Sequence, residues 1–400
     1  MTTAIVIGGG IAGCSTAYAL AKRGIKVTLI ERQAKLASGA SGNPLAALYP
    51  KLGLNHSLAN TLTLQGFEFT LQLLQSLSTE SPLFEACGQI QLGFNTREQV
   101  KQVALANLYQ LPLLSADEAS EKAGIPLKTG GLFLPEAGWV KPAALCEALC
   151  TAHYHSNSIS IHYSIEALSI QKQANLWRVL DGEKNAFEAD IVVICNANDI
   201  KQFKQSASAE IMPVKGQINF FKQTAESASI KTLICSDHYL SPAVDGWHVI
   251  GTTYAPNDMS TSISDSDTRE NLNALRAIST SIHQNIDIST IQARVAWRSQ
   301  TRDYMPLAGQ LIDENKLRSK PPRYNANPTD LPWVKGLFVN AGHGSKGMIT
   351  APICAEMIAN LATKNTHNIN AELASKLNPS RFLLRELGLK QLANTLYKID

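Results

Sequence analysis

The N-terminal segment restricts the fold more than any other. Ala4-Ile5-Val6-Ile7 is a short apolar run of the kind buried as a parallel strand. Gly8-Gly9-Gly10-Ile11-Ala12-Gly13 follows at once, and Cys14 to Lys22 carries a small, apolar helical pattern that stops at Gly24. Ile25 to Glu31 reads as a second strand ending in an acid. Strand, G-x-G-x-x-G, helix, strand and acid in this order make a dinucleotide-binding unit. Gly8 permits the tight turn, Gly10 lets a pyrophosphate approach the backbone, and Gly13 lets the helix pack close to the sheet. The free N–H groups of the helix N-terminus face the phosphates. Glu31 is placed to accept hydrogen bonds from a ribose diol and would repel the 2′-phosphate of NADP. The unit alone does not separate FAD from NAD, because both carry an ADP ribose. No second such unit occurs, so one dinucleotide is expected.

A chain of 400 residues suits about two domains. With 44% hydrophobic and 17% charged residues it is not a disordered chain, and it can bury a sizeable core without disulfides or metals. The net charge of +3, from 36 basic and 33 acidic residues, neither announces nor excludes a nucleic-acid partner. The 7 cysteines are odd in number and scattered, which points to reduced thiols and a cytoplasmic location. No apolar run approaches the ~18–20 residues of a membrane span, so no membrane association is expected. Ile11-Ala12-Gly13-Cys14 resembles a lipoprotein cleavage box but lacks upstream positive charge, and Gly13 already has a role. Cys146, Cys150, His153 and His155 invite a zinc reading. Their spacing fits no common zinc site, and cysteines on one helix are packed small hydrophobes, so no metal is expected.

The remaining pattern predicts an α/β chain: a Rossmann-type domain with a parallel sheet and an inserted, mostly antiparallel α+β domain. Helices are expected over 56–76, 96–107, 115–124, 142–153, 265–285 and 349–363, and a basic helical tail over 371–397. Strands are expected at 88–94, 159–163, 165–172, 175–181, 189–195, 216–222, 231–235, 238–243, 246–252 and 336–341, and 319–332 reads as loop. Residues 1–81, 141–210 and 333–365 are assigned to the dinucleotide-binding domain, 82–140 and 211–332 to the substrate domain, and 366–400 to the tail.

Several segments together resemble the glycine oxidase/D-amino-acid oxidase superfamily of FAD-dependent amine oxidoreductases. They are the N-terminal unit, Gly131 to Pro142 (GLFLPEAGWVKP), Pro213 to Gln217 (PVKGQ), Ile250 to Asp258 (IGTTYAPND) and Gly342 to Pro352 (GHGSKGMITAP). Within it, Gly39 to Leu52 (GASGNPLAALYPKL), Ser236 to Pro242 (SDHYLSP), Val295 to Gly309 (VAWRSQTRDYMPLAG), Gly344 to Glu356 and Leu377 to Leu387 (LNPSRFLLREL) are most similar to one group. That group is the C-terminal oxidoreductase module of the MnmC family of bifunctional tRNA wobble-uridine modification enzymes. Ala341-Gly342-His343 departs from that module toward the small-molecule oxidases. The chain begins at the flavin motif, so a methyltransferase, where one takes part, is expected on another chain.

The resemblance implies that FAD oxidises the glycine-derived arm of carboxymethylaminomethyl-(2-thio)uridine in tRNA. Hydrolysis of the resulting imine would release glyoxylate and leave aminomethyl-uridine. It places Arg298 at the substrate carboxylate, where a guanidinium binds bidentately and lysine is only a point charge. Arg302 is expected at a carboxylate or RNA phosphate, Tyr254 at the substrate wall, and Tyr49 and Tyr304 more weakly so. Around the flavin it places Ile11, Ala12, Arg32, Ala40, Ser41, Asn43, Ala46, Ala47, Leu48 and the backbone of Ile165. Gly342, His343, Gly344, Ser345, Lys346, Gly347, Met348 and Ile349 would cradle the isoalloxazine, with N–H groups and the Lys346 ammonium facing the N1/O2 edge. No catalytic base is required, because hydride transfer from carbon needs a neutral amine and alignment. The tail cations Lys376, Arg381, Arg385, Lys390 and Lys398 would form a phosphate-contacting patch. Two other functions remain open: an oxidase or dehydrogenase of free glycine, sarcosine or a D-amino acid, and a non-catalytic flavin-binding module.

Overall fold

The computed structural model describes residues 1–77, 79–151, 158–183, 185–323, 325–365 and 370–397. The N-terminal strand Thr3–Ile7 lies inside a six-stranded sheet. Its order is Leu307–Ile312, Trp333–Ala341, Ile191–Ile194, Thr3–Ile7, Lys26–Ile30 and Ile159–His162. All neighbours run parallel except the edge strand Leu307–Ile312, which is antiparallel to Trp333–Ala341. The first and last strand–glycine–helix units thus share one sheet.

Side chains alternate across a strand, and both faces here are covered. Ala4 and Val6 join helices Ile11–Ala21, Leu58–Ser76, Pro142–Thr151 and Gly347–Ala362 in one core. Ile5 and Ile7 face the opposite core with Trp177 and Val179. Those two residues come from a three-stranded antiparallel layer, Ser169–Gln173, Leu176–Leu180 and Ala186–Ala189.

The second large sheet has nine strands, built around the long strand Met212–Lys222. It is antiparallel but for the pairing of Gln89–Leu92 with Leu233–Cys235. Gln292–Gln300 runs antiparallel to Met212–Lys222, with Val214 opposite Arg298. Helix Asp265–Ile278 packs Leu272, Leu275 and Ile278 on this sheet.

Several expectations are corrected. The helix expected over 265–285 breaks at Ser279, whose extended backbone and hydroxyl cap the next helix, Thr280–Asn285. The strand expected at 165–172 starts at Ser169, because the Ile165 N–H is held by Glu31 O. Strands Ala186–Ala189, Gln292–Gln300 and Leu307–Ile312 and the short helix Glu314–Ser319 went unread. Leu307–Ile312 also moves the boundary at 332, since it belongs to the parallel sheet and not to the inserted layer.

The tail is three short helices, Ala371–Leu377, Arg381–Glu386 and Lys390–Ala393. Phe382, Leu383, Leu384 and Leu392 are buried against the body. Arg381 is 0% exposed and cannot meet a phosphate, while Lys376 and Arg385 are drawn toward Asp303. The expected basic patch is therefore reduced to its partly exposed rim, and Lys398 lies outside the described residues. Cys146 and Cys150 are buried beside Cys14 in the helical core, and His153 and His155 lie outside the described residues. Among the described residues no cluster of His, Cys, Asp and Glu is arranged to hold a metal, and no helix is long and apolar enough to cross a membrane.

Candidate active site

Two glycine turns meet at the carboxyl ends of the parallel strands, where α/β sheets hold ligands. In the first, Gly8 has φ +107° and a Cβ on it would lie 2.8 Å from Cys195 O. A Cβ on Gly13 would lie 1.8 Å from Gly8 O, so turn and helix pack at a distance only glycine allows. In front of Gly10 the nearest atom is Ser41 Oγ, 3.4 Å from where a Cβ would stand. The first N–H groups of helix Ile11–Ala21 have no intrahelical acceptor. The Ile11 N–H donates to Ser41 Oγ at 3.0 Å, and those of Ala12 and Gly13 belong to the same first turn. Glu31 is buried and accepts from the Gly9 and Gln33 N–H groups at 2.6 and 2.8 Å. Each of its oxygens keeps a further lone pair for a ribose hydroxyl.

The second turn follows strand Trp333–Ala341. Gly342 and Gly344 have φ +75° and +57°, and Gly344–Lys346 tightens into helix Gly347–Ala362. A Cβ on Gly347 would lie 3.6 Å from Ile11 Cγ2, which puts this turn against the first. His343 is held by Thr350 Oγ1 at 2.9 Å and Asn340 Oδ1 at 3.1 Å, and burial pushes it down to about 3. Its ring is neutral, so any positive charge here comes from the helix start and Lys346. Lys346 Nζ donates to Thr63 Oγ1 at 3.2 Å, and burial and then Lys51 hold its pKa below the usual lysine value. Thr70 Oγ1 donates to Met348 O, and Ile349 packs on Gly66, tying helix Leu58–Ser76 to the turn. Ser345 is exposed.

The loop before residue 48 completes the cradle. Ala40–Gly42 forms one helical turn, and Ala46–Leu48 pairs with Gly138–Val140. Arg294 reaches across from the inserted sheet. It donates to Asn43 Oδ1 at 2.7 Å, Ser38 O at 3.1 Å and Gly39 O at 2.5 Å. Arg32 is on the surface, 2.9 Å from Asp199 and 3.8 Å from Glu166. The Ile165 N–H is already donated to Glu31 O at 3.0 Å, leaving its carbonyl for a ligand.

Strand Gln292–Gln300 brings the substrate side to this cradle. Its alternation puts Arg294, Arg298 and Gln300 on one face. The Gln300 backbone bridges to His343, and Arg298 lies two residues earlier. Arg298 donates to Thr252 Oγ1 at 2.9 Å and Thr253 O at 3.4 Å. Among the described residues no carboxylate lies within 4.0 Å of it. Burial holds its pKa below the usual arginine value. Gly216 makes room for it, since a Cβ there would stand 2.6 Å from Nη2. The Tyr254 ring centroid is 5.9 Å from the guanidinium, and Gln300 Nε2 donates to the Tyr254 hydroxyl at 2.8 Å. The PVKGQ segment fixes this wall. Lys215 is buried between Asp258 at 3.0 Å and Ser260 at 2.7 Å, and the Gln217 N–H donates to Thr253 Oγ1 at 3.0 Å.

Tyr239 was not singled out from the sequence. It is close enough to Arg298 to interact electrostatically and donates to Leu45 O at 3.2 Å, with half-buried Tyr49 beside it. Its segment SDHYLSP carried the signal. Arg294 was also missed, and the two-residue alternation of Gln292, Arg294, Arg298 and Gln300 would have found it. Arg302 does not join the group. It pairs with Glu210 at 2.8 Å and lies 4.8 Å over the Phe382 ring. Tyr304 stands on the surface nearby and is 70% exposed.

The cradle fits FAD: a glycine turn and helix start suit a pyrophosphate, Glu31 suits a ribose, and the second helix start suits an electron-rich ring edge. The comparisons agree. The family described as DAO, FAD dependent oxidoreductase, matches residues 3–361. Two proteins described as tRNA 5-methylaminomethyl-2-thiouridine biosynthesis bifunctional protein MnmC are similar over nearly the whole chain. The one from Methylobacillus flagellatus is 40% identical over 98% of this chain and 61% of its own length. The one from Pseudomonas syringae pv. syringae is 36% identical over 96% of this chain and 59% of its own. The chain thus spans about three fifths of these relatives. Among solved structures, glycine oxidase from Bacillus cereus matches with TM-score 0.76 at 22% identity, covering 92% of this chain and 96% of its own. Glycine oxidase from Geobacillus kaustophilus matches with TM-score 0.77 at 20% identity, covering 95% and 99%. With the motif, the cradle and these matches in agreement, the chain belongs to the DAO family of FAD-dependent oxidoreductases and is an FAD enzyme.

Proposed function

We propose that this enzyme oxidises the carboxymethylamino arm of a modified wobble uridine in tRNA, in the cytoplasm, releasing glyoxylate and leaving the aminomethyl group. Arg298 carries the reading. It is a half-buried guanidinium beside the flavin cradle whose hydrogen-bond partners are neutral oxygens only, and such a cation favours a carboxylate ligand. The six-stranded layer holds the cofactor, and the inserted nine-stranded layer supplies Arg298, Tyr254 and Tyr239 to the substrate.

When bound there, FAD would supply the oxidant that takes one hydride, and with it two electrons, from the arm's methylene carbon, and water would hydrolyse the resulting imine to amine and glyoxylate. Arg298 fixes the carboxylate and thereby the carbon beside it, Thr252 and Thr253 hold the guanidinium, and Tyr254 and Tyr239 wall the approach. The product named for the relatives, 5-methylaminomethyl-2-thiouridine, is the N-methyl form of this amine, which supports the tRNA substrate. The methyl group would come from a methyltransferase, proposed here as a separate partner.

The test adds tRNA bearing carboxymethylaminomethyl-uridine to the FAD-loaded protein without oxygen, with glycine and sarcosine in parallel. Flavin bleaching and glyoxylate with the tRNA are expected. Bleaching with the small amines alone would move the enzyme to the free amino-acid oxidases, and bleaching with none of them would leave a flavin-binding module.

A further inference from the structure

The second half of VAWRSQTRDYMPLAG, from Thr301 on, and the segment LNPSRFLLREL form one structural unit. Arg381, fully buried, directs every N–H it has at the turn 303–306 and the end of the preceding helix. Nε and Nη2 donate to Asp303 at 3.1 and 2.8 Å, Nη2 also to Met305 O at 2.7 Å, and Nη1 to Pro306 O at 3.0 Å and Leu377 O at 3.3 Å. Thr301, also fully buried, donates to Met305 O at 2.7 Å, and the Met305 N–H donates to Asp303 at 3.2 Å. Around this turn nearly everything is fastened inward.

What the turn holds outward is Tyr304. Its ring is 70% exposed, more than that of any other aromatic residue among the large exposed hydrophobics. Its backbone has φ +58°, a region bulky side chains rarely adopt, so the fastening maintains a conformation this residue would not choose. The position is adjacent to the cradle. The Tyr304 N–H donates to Thr301 O at 3.2 Å, and Thr301 Cγ2 is 3.0 Å from where a Cβ on Gly342 would be. The surroundings are cationic. Arg302, Lys376, Arg381 and Arg385 gather around Asp303 and Glu210, four positive charges against two negative. An exposed ring on a fastened turn, with cations around it, is the element from which single-stranded nucleic-acid sites are built.

We propose that Tyr304 is a stacking platform for an unpaired nucleobase flanking the modified uridine, with partly exposed Lys376 and Arg385 supplying the field for its phosphate. This rests on the tRNA reading above. It makes Tyr304 a specificity residue for a nucleic-acid loop, since a free amino acid has no base to place there.

The experiment measures kcat/KM for flavin reduction with the modified tRNA and with the free carboxymethylaminomethyl nucleoside, in the wild type and in Tyr304→Ala, Tyr304→Asn and Tyr304→Trp. Loss of one stacked base should lower the tRNA value about 5- to 150-fold in the Ala and Asn variants. The tRNA value should fall at least about 5-fold further than the nucleoside value, and the Trp variant should restore it. Asn tolerates left-handed backbone, so a merely structural Tyr304 would leave the Asn variant as active as wild type. That result, or equal losses on both substrates, overturns the platform. A wild type reduced by neither substrate refutes the tRNA reading instead, and one reduced equally well by both overturns the platform while leaving the chemistry intact.

Discussion

Two arginines in this molecule, Arg381 fully buried and Arg298 half-buried, face opposite situations. Arg381 has a carboxylate, Asp303, and several carbonyls, and its whole donor fork is matched. Arg298 has a hydroxyl and a carbonyl and no counter-ion among the described residues. Burial lowers both pKa values, yet only Arg381 has that cost offset from within the chain. A guanidinium left in this state is costly to the folded protein, and it persists where a ligand completes it. The difference supports the proposed role of Arg298 as the carboxylate receptor.

Replacing each arginine tests the contrast, and the two should fail in different assays. Arg381→Met takes from Asp303 its nearest cation, leaving Lys376 and Arg385 at 3.7 and 3.8 Å, and strips the donors from Met305 O and Pro306 O; it should destabilise the fold by about 2–5 kcal/mol, read as a lower urea midpoint. An unchanged midpoint would erase the distinction. Arg298→Ala should leave that midpoint unchanged or raise it, because it removes an unneutralised charge. It should lower kcat/KM for the carboxylated amine by about 30-fold or more, as truncating one partner of a buried charge pair costs about 2–5 kcal/mol. FAD should stay bound, and equal turnover in mutant and wild type would remove Arg298 from the site.

The smallest effect is with pH. Burial is the largest single effect and works against the Asp303 carboxylate, but the hydrogen bonds and charge of Arg381, the Met305 N–H and Lys376 together outweigh it, and its pKa lies below the ordinary value. A carboxyl depressed in the folded state stabilises fully above its unfolded pKa, and that contribution is lost as pH falls through the folded value. Acid should therefore erode the stability of the wild type more than that of Asp303→Asn, in urea midpoints followed from pH 6 to pH 3, given that the unfolded carboxyl titrates at ~3.9. Parallel slopes would mean that the pair is not the source.

What was readable in the sequence follows the range of each interaction. The N-terminal unit was legible because its strand, glycines, helix and acid are local, and Gly8, Gly13 and Glu31 stand as their spacing implied. Arg298 came from resemblance, and its missing counter-ion among the described residues supports the role proposed for it. Arg294 was hidden because strand Gln292–Gln300 went unread, and its partners Ser38, Gly39 and Asn43 lie far away in the chain. Arg381 was mistaken for surface because a basic residue in a terminal helix looks solvated until its distant acid, Asp303, is placed against it.

Strand Gln292–Gln300 also acts as a ruler. Arg294 grips the loop 38–43 beside the first glycine turn and Arg298 stands at the proposed carboxylate site, so four residues of extended chain, about 13 Å, set the distance between them. Sliding the strand by one residue would turn both arginines to the opposite face, so this span has no graded adjustment. A lineage of such enzymes that changed substrates would have to reshape the walls around Arg298, at Tyr239 and Tyr254, and leave the spacing of the two guanidiniums as an inherited constant.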